Sequence, residues 1–254
     1  MLLPWERTED NETLWAKDRD RFNGFLAVLN SCRESAGLPA ISDVRGHMFG
    51  DQPMLAADPV LGPWPDPADT SVLQTGAWLR VDKRPIEPEL AQFLDAGEPP
   101  IYFGFGSMFV KPEYSQLAIE AARSLGLRSI VMSGWADLSL VDESADCIAV
   151  GEVNHQEVFR RCAAIVHHGG AGTTTTAALA GVPQVIVPQM FDQFYWSEQV
   201  EHLGIGRADK PGALAEVLDS VLRPGVVTSA REVAGGIRTD GALVAARRVT
   251  SLAG

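Results

Sequence analysis

From about Pro99 onward, short apolar or β-branched runs alternate with amphipathic stretches. "IYFGF" (101–105), "SIVM" (129–132), "CIAV" (147–150), "AAIVH" (163–167) and "QVIV" (184–187) are continuous runs with no polar alternation. Strands buried on both faces read this way. "PEYSQLAIEAARSLG" (112–126), "HQEVFRRC" (155–162), "TTTTAALAG" (173–181) and "QFYWSEQVEHLG" (193–204) have the character of helices. The alternation predicts βαβ units, hence an α/β fold with a Rossmann-like parallel sheet covered by helices on both sides. "PGALAEVLDSVL" (211–222) and "GALVAARRVTSL" (241–252) read as closing helices.

The front of the chain follows another pattern. One long helical stretch, roughly Asn11 to Ser35, leads into a Pro/Gly/Asp-rich tract (37–70) holding only the short runs "MLAA" (54–57) and "SVLQT" (71–75). Two short strands do not make a stable sheet, since about three or more with a covered face are needed. Residues 1–79 therefore read as the remnant of a domain whose beginning is absent, 80–98 as a linker with one helix, 99–240 as the main domain and 241–254 as a terminal helix. The front should then expose apolar surface, including Trp5, Trp15, Phe22 and Phe25.

Charge and cysteine content narrow the function classes. A net charge of −12 with no Lys/Arg-rich run argues against a nucleic-acid groove or an anionic membrane surface. Cys32, Cys147 and Cys162 lack zinc-type spacing, and the opening "MLLPWERTEDNETLW" lacks a basic n-region and an unbroken apolar stretch. The expectation is a reduced, cytoplasmic protein without a membrane span. Asp18-Arg19-Asp20 imitates a metal-binding acidic pair but lies in a helical stretch, where its acids point to different faces. No metal site is expected.

Ligands of an open parallel sheet bind beyond the carboxyl ends of the strands. Three loops there are unusual: "GFGSM" after the first run, "SGWADL" after the second, and "HHGGAGTTTT" after a later one. From Cys162 to Gly206 the chain has no Lys and no Arg, so an anion held by the last loop must be held by neutral donors. Gly169, Gly170 and Gly172 leave the start of the following helix bare, and a helix N-terminus carries roughly +0.5 of partial charge. Thr173 or Thr174 can add a hydroxyl and His168 a ring N–H. The competing reading is that the glycines only allow tight packing. A Walker loop is excluded because no Gly-Lys-Ser/Thr follows, and the dinucleotide fingerprint fails because Thr175 stands at the third glycine's place. Ser107 is either a second diphosphate contact or a plain helix cap. Trp135 is either a base-stacking platform or packing, and Asp192 with Gln193 can grip vicinal sugar hydroxyls.

"YFGFGSM", "SGWADL", "GEVNHQEVF", "VHHGGAGTTTTAALAGVPQVIVPQ" and "DQFYW" together resemble the donor-binding half of the bacterial GT-B glycosyltransferases of family 1, those acting on vancomycin-type glycopeptides above all. "LPWERTEDNETLW", "GLPAISDV", "LAADPVLGP" and "LQTGAW" extend the resemblance over nearly the whole chain. The resemblance implies a GT-B C-terminal domain preceded by a partial N-terminal, acceptor-binding domain. It implies metal-independent, inverting transfer of a hexose or deoxyhexose from a UDP- or dTDP-sugar, with no resident cofactor, to a glycopeptide, phenolic or polycyclic acceptor. Carried over by position, Ser107, His168, Gly170, Ala171, Gly172 and Thr173 would contact the diphosphate, Trp135 and the Val153 backbone the base, and Asp192 with Gln193 the sugar. Asp192 is also the candidate base. Phe194 departs from the proline of many relatives. The alternative is a nucleotide-sugar-binding module without turnover.

Overall fold

The computed structural model describes residues 10–64, 71–106, 108, 113–133 and 144–252. In chain order its elements are α1 (Asn11–Asn23), α2 (Leu26–Ser35), α3 (Val44–Phe49), β1 (Met54–Leu55), β2 (Leu73–Gln74), α4 (Pro88–Asp95), β3 (Ile101–Gly104), α5 (Glu113–Ser124), β4 (Ser129–Met132) and β5 (Cys147–Val150). There follow α6 (His155–Val158), a 3-10 turn (Phe159–Arg161), β6 (Ala164–His167), α7 (Ala171–Leu179), β7 (Gln184–Ile186), α8 (Gln193–His202), β8 (Gly206–Ala208), α9 (Leu214–Val221), α10 (Pro224–Gly236) and α11 (Gly241–Leu252).

Six strands form one sheet in the order β5-β4-β3-β6-β7-β8, every neighbouring pair parallel. The chain enters at the middle, builds outward through β4 and β5, then returns to the other side of β3 with β6. That reversal puts the topological switch between β3 and β6, where loops part and leave a crevice. The register pairs Gly104 with His167, so the two Gly-rich loops leave the sheet side by side.

Both faces of the sheet are covered. Ile101 and Phe103 of β3 pack with Val166 and Val185 under α5 and α9, while Tyr102, Ile130 and Ile165 pack under α4, α6 and α7. Alternate residues thus face opposite layers without any change of polarity, which is why the runs are continuously apolar. Every residue of β3 and β6 is buried.

The structure departs from the expected pattern in four places. The long front helix is two helices, because the chain breaks after Asn23 at Gly24. α3 forms inside the Pro/Gly/Asp-rich tract. β8 is only three residues, one a glycine and one an arginine, too short for an apolar run. Its Gly206 is required, since a Cβ there would meet the Gln184 carbonyl oxygen at 2.1 Å. α10, with no strong apolar stripe and Ala230 as its buried residue, gave no helical signal either.

Ahead of the sheet, β1 and β2 form a two-stranded parallel pair. α2 has no buried residue, and Phe25 and Val28 are 62% and 69% exposed. Phe22 is half-buried, Trp15 is half-buried against Trp64 with the Arg45 guanidinium over its ring, and Trp5 lies outside the described residues. The front is fastened to the sheet domain by a few contacts. Leu61 is fully buried with Trp196, Val200 and Ala230. The Asp58 carboxylate accepts the N–H groups of Val60 and Arg238, each at 2.8 Å. Gly241, opening α11, touches the backbone of Gly76 so closely that no Cβ fits. Asp18, set aside as a metal ligand, is paired with Arg45 at 3.3 Å. Among the described residues no helix is long and apolar enough to cross a membrane.

Candidate functional site

The crevice beyond β6 is built by a short turn whose parts have separable duties. His167 is fully buried at the end of β6. Its Nε2 lies 2.9 Å from Gln184 Oε1, and its Nδ1 accepts the Gly169 N–H at 3.1 Å, so the ring is neutral with its proton on Nε2. Burial carries its pKa down to about 3. His167 therefore fixes the turn and is not available to a ligand.

The three glycines of the turn separate the packing reading from the binding one. Gly169 has φ +89, and a Cβ there would also strike Ile186 at 2.7 Å, so the fold requires it. Gly170 makes room for the neighbouring imidazole: a Cβ on it would lie 2.5 Å from His168 Nε2. Gly172 meets nothing within 4 Å and is exposed in the first turn of α7. A glycine inside a helix costs about 1 kcal/mol relative to alanine. No contact in the protein offsets that cost at Gly172, and what its missing side chain leaves is open space at the helix N-terminus.

α7 starts at Ala171, two residues before the expected Thr173, with Gly170 as its N-cap and no side-chain cap. The Thr174 hydroxyl donates back to the Gly170 carbonyl at 3.0 Å, Thr175 to Ala171 and Thr176 to Gly172, each at 2.8 Å. These hydroxyls satisfy the helix's own carbonyls. The Thr173 hydroxyl is the one not turned back in this way. The N–H groups of Ala171, Gly172 and Thr173 lie before the first i→i−4 bond, from Thr174 to Gly170, and point outward as an anion site would require.

His168 borders this space. Its ring is half-buried, its Nδ1 is sealed from solvent without a hydrogen-bond partner, and its Cε1 lies 3.6 Å from a Cβ position on Gly106 of the loop after β3. Burial lowers its pKa and the Asp192 carboxylate opposes that shift, so His168 is a neutral ring that shares its surroundings with Asp192.

Asp192 is reached through a distorted loop. Phe191, 57% exposed, holds φ +56, a conformation a bulky side chain rarely adopts. Asp192 occupies the N-cap position of α8 but does not cap it: its Oδ2 accepts the Trp196 indole N–H at 2.9 Å. Gln193 is buried, and its Oε1 accepts the N–H groups of Gln189 and Met190 at 2.7 and 3.1 Å. Its side-chain carbonyl thus shapes the loop.

Val153 follows β5, at an edge of the sheet. With Met132, His155, Thr176, Arg80 and Arg84 it lines a cleft of about 290 Å³. The Arg84 guanidinium donates to the Val153 carbonyl at 3.3 Å, and Asn154 both caps α6 and donates to the carbonyls of Asp82 and Arg84. The linker is thereby clipped against this edge of the sheet. The structure places Asp192 close enough to His168 for its charge to act on the ring, sets Gly170, Ala171, Gly172 and Thr173 at the start of α7 directly after His168, and lays the Gln193 backbone beside Gly169; Val153 lines a separate cleft, and Ser107 and Trp135 lie outside the described residues. Trp196 and the Asn154 clip escaped the sequence reading. The Asp-x-x-x-Trp spacing, one helical turn, was the available signal for the first.

Residues 128–240 match the model of the erythromycin biosynthesis protein CIII-like C-terminal domain. The chain is 49% identical over 248 residues to a vancomycin aglycone glucosyltransferase of Amycolatopsis orientalis, covering 96% of this chain and 58% of that protein. It is 43% identical over 242 residues to a dTDP-epi-vancosaminyltransferase of the same organism, covering 91% of this chain and 60% of that protein. It thus spans less than two thirds of the curated relatives it matches. In fold it is similar to the crystal structure of the glycotransferase of kitacinnamycin, with a TM-score of 0.74 at 20% identity, covering 90% of this chain and 61% of that one. A spinosyn forosaminyltransferase gives a TM-score of 0.67 at 17% identity, covering 96% and 64%.

Proposed function

The chain is a relative of the vancomycin-type GT-B glycosyltransferases, matching their C-terminal portion, and from that premise we propose that its crevice binds the diphosphate of a UDP- or dTDP-sugar for transfer to a glycopeptide, phenolic or polycyclic acceptor. The observation that carries this reading is Gly172, whose bare position serves no packing purpose and opens the α7 N-terminus. The N–H groups of Ala171, Gly172 and Thr173 would hold the diphosphate, with a ring N–H of His168 beside them. Ser107 would approach from the adjacent loop. Val153 and Trp135 would hold the base. Asp192, with Oδ2 engaged by Trp196 and Oδ1 available, would accept a sugar hydroxyl, and the amide NH2 of Gln193 would donate to another.

In such a transfer the acceptor oxygen bonds to the anomeric carbon as the bond from that carbon to the diphosphate oxygen breaks. The electron pair leaves with the nucleoside diphosphate, and the acceptor proton passes to a base. Direct displacement of this kind inverts the anomeric centre. Charge grows on the diphosphate as the bond breaks, and preoriented N–H groups with a helix dipole stabilise it without reorganising. This reading needs no divalent metal to neutralise the leaving group. Asp192 can also take the proton, but an aspartate gripping the sugar and one deprotonating the acceptor are different roles, and the Trp196 bond favours the first.

Calorimetric titration with UDP and dTDP tests the site. Gly172→Ala should leave thermal stability equal or higher while nucleotide affinity drops at least tenfold, and His168→Ala should weaken binding by a similar factor. An unchanged affinity in Gly172→Ala would return the glycine to a purely conformational role. The second reading, a binding module without turnover, is favoured by the uncovered apolar face of α2. Transfer of sugar to an aglycone by residues 1–254 would overturn it.

A further inference from the structure

The carboxylate of Asp192 has two oxygens, and one of them is engaged within the fold. Oδ2 accepts the indole N–H of Trp196, one turn along α8, at 2.9 Å. An aspartate at a helix N-cap ordinarily accepts an N–H of the first turn. Here it makes no such bond. The indole, 6% exposed, is packed among Leu61, Val200 and Ile205, and a buried indole N–H needs an acceptor. Its ring is also fixed from the front of the chain: a Cβ on Gly62 would lie 2.9 Å from Trp196 Cη2 and 3.3 Å from the Tyr195 hydroxyl.

A structural role alone, with Asp192 present to satisfy Trp196, leaves the carboxylate's position unexplained. Any neutral acceptor would satisfy the single indole donor. The carboxylate is half-buried, and its charge acts on His168, whose ring lies against the start of α7.

We propose that Trp196 is a positioning residue that fixes the Asp192 carboxylate so that Oδ1 meets one hydroxyl of the donor sugar, and that Gly62, by admitting the indole, sets that position from the front segment. The inference rests on the donor-site reading and deepens it. Its consequence is selective: the clip should affect recognition of the sugar and not of the nucleotide, because the diphosphate is held by α7 and His168.

The test is calorimetry with UDP, dTDP, UDP-glucose and dTDP-glucose on the wild-type chain, Trp196→Phe and Gly62→Ala. Trp196→Phe keeps an aromatic ring and removes the N–H. It should lower affinity for the sugar nucleotides five- to tenfold while UDP and dTDP affinities stay within twofold. Gly62→Ala leaves the indole N–H in place and displaces the ring, and should reproduce the selective loss; if Trp196→Phe does not fold, Gly62→Ala decides. Nucleotide and sugar-nucleotide affinities that fall together, or both unchanged, overturn the positioning role while leaving the donor site standing. A wild-type chain that binds neither nucleotide overturns the donor site and this inference with it.

Discussion

The sheet domain and the front segment draw on the same apolar residue types and use them in opposite ways. In the sheet domain β3 and β6 are buried from end to end, because helices cover both faces. In the front, β1 and β2 are two residues long, α2 buries nothing, and Phe25, Val28 and Met48 stand 60% or more exposed. Within the front, Ala57 and Leu61 are buried against the sheet domain and Ala77 lies against the start of α11, while Leu14 and Val44 are buried on α1 and α3, which pack on each other. Apolar side chains stabilise a fold only through the partners that remove them from water, and the two regions differ in partners more than in composition.

The largest expected effect lies in the covered region. Phe103, fully buried between β3's neighbours and α5, should cost about 3–5 kcal/mol when changed to alanine, read from urea denaturation. A loss under about 1 kcal/mol would mean that the sheet domain is not the stable unit the contrast supposes.

An intermediate effect is pH-dependent and belongs to the same region. An unfolded histidine takes its proton near 6.5, whereas burial holds His167 neutral down to about 3. The unfolded chain then binds more protons throughout that window, so stability is present above pH 6.5 and falls as pH decreases below it, by about 1.4 kcal/mol per pH unit at most. His168, only half-buried, adds a smaller contribution of the same sign. Between pH 6.5 and 5 the loss should reach about 2 kcal/mol. Denaturation midpoints that stay flat across that interval would mean His167 is hydrated and the turn after β6 looser than its hydrogen bonds indicate.

The smallest expected effect sharpens the contrast from the other side. Phe25→Ser should change stability by no more than about 0.5 kcal/mol, since a largely exposed ring loses few contacts, while reducing self-association in sedimentation velocity. A loss comparable to that of Phe103→Ala would show that the front has a cooperative core of its own.

Much of the fold was legible because a strand buried on both faces needs an unbroken apolar run, and five of the six strands of the main sheet left one. The missing strand, β8, is held by its neighbours: Gly206 is there because β7 approaches too closely for a side chain. The crevice was legible for a related reason. Bare backbone, a histidine pair and the absence of Lys and Arg are local features of the chain, and their meeting at one strand end follows from sheet topology.

The sequence by itself determined the α/β class, the order of most elements and the absence of cationic side chains around the turn after β6, because these depend on local pattern and on which residue types are present. Only the tertiary structure decided which residue of each pair does what. It made His167 a buried strut and left His168 facing the crevice, assigned packing to Gly169 and open space to Gly172, and turned Gln193 into its own loop while Trp196 took hold of Asp192. The physical reason is that a side chain's role depends on the partners that reach it, and those partners come from segments far apart in sequence: Gly106 beside His168, Gln184 beside His167, and Gly62 beside Trp196.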